Sequence, residues 1–202
     1  LGVRRFMVGL GGSSTNDGGA GMLVALGLRL LDADGRDVEA TPDGLARLAR
    51  ADASALDARL ADGEITIMSD VDNPLAGARG ATAIFGPQKG VEAGQVAAID
   101  ATLARYAAIV ESAIGKRASE RPGAGAAGGL GHALMLAGGT MRSGAQVVAD
   151  LIGLDAALAV YFGAHQSIGC KGITLFGTDD QRRRWLTRCA TGERVAAFCL
   201  TE

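Results

Sequence analysis

Apolar and polar positions along the chain follow two rhythms, and each rhythm predicts a different element. Phe6, Met7, Val8 and Leu10 form a short apolar run stopped by Gly11 and Gly12, the pattern of a buried strand over Phe6 to Leu10. Small residues and leucines then run from Ala20 to Leu26, predicting a helix able to pack closely on a sheet, with Asn16 and Asp17 ahead of it as N-cap candidates. Leu28 to Leu31 reads as a second strand closed by the turn Asp32-Ala33-Asp34-Gly35, and Pro42 to Arg50 as a short helix capped by Thr41. Ile65 to Met68 is the clearest central strand, and it gives way to the polar run Ser69-Asp70-Val71-Asp72-Asn73-Pro74.

Farther on the period lengthens. Val91, Val96, Ile99, Leu103, Tyr106, Ile109, Val110 and Ile114 recur at helical spacing and predict a long amphipathic helix. Pro122 to Gly129 is a second Gly-rich turn, followed by helix candidates over Leu130 to Ala137 and Val147 to Leu158. Strands alternating with helices predict an α/β fold of strand, Gly-loop and helix units, and no 20-to-50-residue period marks a repeat protein.

Composition narrows the function classes. With 202 residues, 48% of them hydrophobic, the chain can bury a core. Its 21% charged residues and net charge of -2 leave no general basic surface for nucleic acid. No apolar run approaches the roughly 18 to 20 residues that span a bilayer, and nothing at the start reads as a signal peptide, so the cytoplasm is the expected compartment. Cys170, Cys189 and Cys199 form neither a disulfide framework nor a zinc-binding pair. They cluster with Trp185 near the C-terminus, where composition shifts near residue 160. Because the chain opens on Leu1 and enters a strand almost at once, sequence is expected to be missing upstream.

Three stretches could carry chemistry. In Gly11-Gly12-Ser13-Ser14-Thr15-Asn16-Asp17-Gly18-Gly19 the glycines let backbone approach an anion, and hydroxyls and amides leading into a helix can hold a phosphate or carboxylate. A plain tight turn with Asp17 as a helix cap is the alternative, since the stretch is neither a Walker nor a dinucleotide fingerprint. Asp70 and Asp72 share one face if strand geometry persists, which suits magnesium. Either carboxylate could instead orient or deprotonate a sugar-acid hydroxyl, and an Asp-rich turn before Pro74 is the structural alternative. Arg79 and Lys89 can neutralise a carboxylate or phosphate, or stand as solvated surface charges. Gly123 to Gly131 could cradle a second phosphate, but its Gly and Ala content favours close packing. His132, alone in an apolar helix, reads as structural, and no Ser-His-Asp or Cys-His pairing presents itself.

Taken together, Gly11 to Leu23, Ser69 to Gly90 and Pro122 to Gly131 resemble the glycerate kinase family, and the resemblance covers residues 1–158. It implies ATP-dependent phosphorylation of D-glycerate with Mg²⁺ in a cleft between two α/β domains. Matching positions nominate Ser13, Ser14, Asn16 and Asp17 as a ligand loop, with Asp70, Asp72, Asn73 and Lys89 across the cleft. Asp70 and Lys89 are the catalytic candidates, Asn73 joins the substrate-binding set, and Asp70 with Asp72 are the metal candidates. The family's upstream Lys-containing segment and Asp-Gly-Gly-Glu-Gly-like motif do not occur before Leu1, so part of the site is expected to be absent, and the activity of this chain is left open. Residues 159–202 resemble instead the N-terminal region of an acyl-CoA dehydrogenase, ending at Leu200-Thr201-Glu202, too short to carry hydride chemistry or hold FAD. Within that tail, Gln181 to Leu186 reads as a basic helix with one Trp, and its Cys and Phe side chains are expected to leave apolar surface exposed. A dehydrogenase fragment and a non-catalytic anion-binding α/β domain are the other functional classes.

Overall fold

The structure is a computed structural model that describes residues 2–152 and 170–190. It divides into two compact units, residues 1–144 and 145–202.

The first unit is built on a three-stranded parallel sheet in the order β1-β4-β5, with β1 at Arg5–Gly9, β4 at Glu64–Met68 and β5 at Thr140–Arg142. Phe6 pairs with Ile65 and Val8 with Ile67, while Thr66 to Met68 pair with Thr140 to Arg142 on the other side. β4 is therefore central, as its apolar pattern predicts, and Ile67 is fully buried. β1 is an outer strand, which corrects the expectation of a buried one: Phe6 is 46% and Met7 53% exposed. A hydrophobic run without alternation looks the same whether one or both of its faces are covered.

Helix α1 (Ala20–Ala25) follows the first Gly-rich loop, and β2 (Arg29–Leu31) forms an antiparallel pair with β3 (Arg50–Asp52). Between them, α2 is a single turn, Pro42–Leu45, with the predicted Thr41 cap accepting from the Gly44 amide at 3.1 Å. The predicted helix does not reach Arg50, because the chain there extends to pair with β2, and a three-residue strand is too short to show a period. After α3 (Ala81–Phe85) comes α4 (Val96–Ile114), which begins five residues later than the apolar spacing suggests. Val91 instead closes a turn on Gly86, its amide donating to that carbonyl. One face of α4 buries Leu103, Tyr106, Ala107 and Val110. Most of these join Leu23, Leu28, Leu30, Ile67 and the residues of α5 (Leu130–Leu136) in one core. Each large apolar side chain buried there contributes roughly 2 kcal/mol.

Helix α6 (Gly144–Ile152) matches the start of the predicted Val147 to Leu158 helix, whose last residues lie outside the described ones. Residues 159–169 and 191–202, with most of the tail on which the dehydrogenase resemblance rests, also lie outside. The described part of the second unit includes a helix at Cys170–Phe176. A further helical stretch starts at Asp179 behind a Thr178–Gln181 capping box and passes through a π-helical turn at Arg182–Leu186. The basic helix with one Trp is thus present, with the Arg184 guanidinium 5.2 Å from the Trp185 ring centroid. Leu175 and Phe176 are exposed, and among the described residues neither Cys170 nor Cys189 is in a disulfide. No described helix is long and apolar enough to cross a membrane.

Candidate functional site

All three parallel strands run the same way, so their C-terminal ends deliver three loops to one edge of the sheet, where open α/β sheets place their ligands. β1 leads into Gly11–Gly19, its ladder extended by Leu10 donating to the Met68 carbonyl at 2.9 Å. β4 leads into Ser69–Pro74, and β5 into Ser143 and Gly144.

The two Gly-rich stretches interlock backbone to backbone. Gly18 donates its amide to the Gly128 carbonyl at 2.9 Å. A Cβ built at Gly128, whose φ is +70°, stands 1.9 Å from the Thr15 carbonyl oxygen; one built at Gly129 stands 2.4 Å from the Gly18 Cα. The same turn reaches the β4 loop, where Gly125 donates to the Asn73 carbonyl at 2.9 Å. A Cβ at Gly125 falls 2.4 Å from the Pro74 carbonyl oxygen. Packing, the favoured reading of this stretch, is therefore its structural role, and it seats the Gly11–Gly19 and Ser69–Pro74 loops against one surface. Ala127 adopts φ 52° there, a left-handed conformation costly for a residue with a side chain.

Lys89 lies at the end of a short 3₁₀ turn, Pro87–Lys89. Its Nζ donates to Ser13 Oγ at 2.9 Å and to the Thr15 carbonyl at 2.7 Å. The lysine is thus a member of the Gly11–Gly19 loop rather than a solvated surface charge. Burial pulls its ammonium below the usual lysine range, and the nearby Asp17 carboxylate pulls it back up. Asp17 accepts from the Gly19 amide through Oδ1 and the Gly21 amide through Oδ2, both at 3.1 Å, and so closes the start of α1. Formally Gly19 is the N-cap, in a left-handed conformation that Asp17 has no need to adopt. Asn16 does not cap at all. It is buried, and its Nδ2 donates to the Oγ1 of Thr82 on α3 at 3.0 Å, while its Oδ1 is buried without a hydrogen-bond partner among the described residues. Ser14 is exposed on the same loop.

The strand geometry assumed for Asp70 and Asp72 ends at Met68, so alternation does not align the two carboxylates. Asp70 turns to the β5 loop, where its Oδ1 accepts from Ser143 Oγ at 3.0 Å and the Gly144 amide at 3.2 Å. Asp72 Oδ2 takes an exposed ion pair with Arg79 at 3.3 Å. Asn73 folds the loop back by donating from Nδ2 to the Arg79 carbonyl at 2.8 Å. Among the described residues no group of three or more His, Cys, Asp and Glu gathers as a metal cage. Thr82, Ser143 and Gly144 went unseen in the sequence. Ser143-Gly144 does carry a helix-start signal, but only beside a strand too short to recognise.

His132 is fully buried, as a structural histidine should be. Its Nδ1 lies 3.4 Å from the Gly18 carbonyl and its Nε2 3.3 Å from Glu111 Oε1.

A parallel α/β sheet thus presents a Gly-rich loop, a lysine anchored to it and an acidic loop together at its C-terminal edge. The chain belongs to the Glycerate kinase family, whose sequence model matches residues 1–161. It is 48% identical to the glycerate kinase of Bacillus subtilis (strain 168) over 134 residues, 66% of this chain and 35% of that protein. Over 155 residues it is 43% identical to the glycerate 2-kinase of Escherichia coli (strain K12), 76% of this chain and 41% of that one. A crystal structure described as that of a glycerate kinase 2 from Salmonella typhimurium LT2 superposes with a TM-score of 0.71 at 45% identity, covering 74% of this chain and 41% of the other. The chain spans well under half the length of these relatives.

Proposed function

We propose that this chain contributes to the ATP-dependent phosphorylation of D-glycerate. The observation that supports this best is the tether of Lys89 to Ser13 and the Thr15 carbonyl, which puts a cation inside a Gly-rich loop at the sheet edge. In the reaction the glycerate hydroxyl oxygen forms a bond to the γ-phosphorus while the bond from that phosphorus to the ADP oxygen breaks, and the hydroxyl proton passes to a carboxylate. Positioning and charge stabilisation supply most of the catalysis. Ser13, Ser14 and the loop amides would bind phosphate or glycerate carboxylate, with Asp17 and Asn16 holding the loop from behind. Lys89 would offset negative charge on the transferring group. Asp70, oriented by Ser143 and Gly144, would receive or orient the hydroxyl, and Asn73 would shape the loop that carries it.

Asp70 or Asp72, each singly because strand alternation does not align the two carboxylates, would hold a magnesium ion shared with nucleotide. Each engages its neighbours through one oxygen and keeps a second, and magnesium bound through one or two carboxylates normally keeps waters and phosphate oxygens as its other ligands. When bound, it neutralises charge on the phosphate oxygens.

For residues 159–202 the acyl-CoA dehydrogenase resemblance rests on sequence alone, as does the cytoplasm as compartment. No FAD is expected there, nor a nucleic-acid partner.

The test is ADP production by the purified chain with ATP and Mg²⁺, with and without D-glycerate. Glycerate-dependent turnover supports the kinase function. ATP-induced thermal stabilisation without turnover would point to an anion-binding domain instead.

A further inference from the structure

His132 sits where three parts of the first unit meet. Its ring lies edge-on to Tyr106 of α4, with centroids 6.0 Å apart, and it stands between the Gly18 carbonyl of the ligand loop and the Glu111 carboxylate of α4. Both neighbours are acceptors, so each needs an N–H from the ring, and a neutral imidazole has one. Glu111 Oε1 already accepts the Ala118 amide at 2.8 Å and the Ser119 amide at 2.6 Å. The buried Gly18 carbonyl has His132 as its hydrogen-bonding neighbour among the described residues. A buried carbonyl left without a donor is costly, whereas Glu111 stays satisfied without the ring. The single proton therefore belongs on Nδ1, and a second, when gained, goes through Nε2 to Glu111.

We propose that His132 is a positioning residue for the phosphoryl-transfer site, its Nδ1–H holding the Gly18 carbonyl and so fixing how the Gly11–Gly19 loop enters α1. Gly18 is already pinned on its other side by the Gly128 carbonyl, and Asp17 just before it gathers the Gly19 and Gly21 amides. The ring thus fixes the remaining freedom of the peptide between the anion loop and its helix. The catalytic part of this inference rests on the kinase function, but the tautomer and the loop tether do not.

Two substitutions separate the ring nitrogens. An Asn amide reproduces the Nδ1 donor and a Gln amide the Nε2 donor. In the full 202-residue chain, His132→Gln is expected to raise amide hydrogen exchange at Gly19 and Gly21 about tenfold and the KM for ATP or D-glycerate several-fold. His132→Asn should stay within about twofold of the parent in both. Equal effects of the two variants, or the reverse order, would overturn the proposal. Nitrogen-15 imidazole shifts of the His165→Gln chain, which leaves His132 as the sole histidine, give a test that does not require either His132 variant to fold. A neutral Nδ1–H tautomer is expected, and a neutral Nε2–H tautomer would sink the idea. Absence of glycerate-dependent turnover in the parent defeats the kinase function while exchange and tautomer still decide the role of His132.

Discussion

Single residues at this site act through the backbone groups they hold. Lys89→Met removes the cation that joins Ser13 to the Thr15 carbonyl, and it should lower glycerate-dependent turnover at least ~100-fold with little change in melting temperature. Asp70→Asn keeps an acceptor for Ser143 and Gly144, so the protein should fold normally. Turnover should nevertheless fall steeply, and unchanged turnover would remove Asp70 from the site. Tyr106 offers the opposite sign. Its hydroxyl is buried without a hydrogen-bond partner among the described residues, and burial pushes its ionisation far above the usual range. Tyr106→Phe should therefore stabilise by ~1 kcal/mol, raising the melting temperature by about 2–4 °C in a thermal scan.

At the level of elements, the Pro122–Gly131 turn joins the Gly11–Gly19 and Ser69–Pro74 loops, and its tolerance for side chains is minimal. Gly128→Ala would drive a methyl into the Thr15 carbonyl at positive φ, at a cost of at least about 2 kcal/mol measurable by urea unfolding. The same contacts explain how much of the site was legible. The Gly-rich loop and the Ser69–Pro74 run announce themselves by residue type, whereas Lys89 is singled out from Arg79 only by the family resemblance. Which of them touch is not announced, because a glycine selected for close backbone approach looks the same in sequence as one selected for a turn. β4, α4 and α5 were readable because their apolar positions repeat often enough to define a period. β3 and β5, at three residues each, repeat nothing. Ser143, the partner of Asp70, was hidden for that reason.

Across the whole molecule, acid should act through the buried pair behind the loop. Burial pulls His132 below its ordinary 6.5, against the opposing pull of Gly18 and Glu111. Burial pushes Glu111 up, but the Ala118 and Ser119 amides and His132 hold it below its ordinary 4.5. In both cases the unfolded chain binds more protons. From these two groups stability should be level above pH 6.5, decline below it as the unfolded chain's histidine takes up a proton that folded His132 resists, and decline further below pH 4.5. Melts of the parent and His132→Asn across this range should differ mainly in the first decline. The parallel sheet has a consequence of another kind, for the nascent chain on the ribosome. β1 pairs with β4 only after nearly sixty further residues are made, and β4 receives β5 and the Asp70 partners only once residues 140–144 emerge. The Gly11–Gly19 and Ser69–Pro74 loops are synthesised early but acquire their shape late. Throughout that interval their glycines and the side chains of Phe6 and Met7 are open to chaperones, and a ribosome stalled before residue 140 would display those two loops without the β5 loop that completes the site.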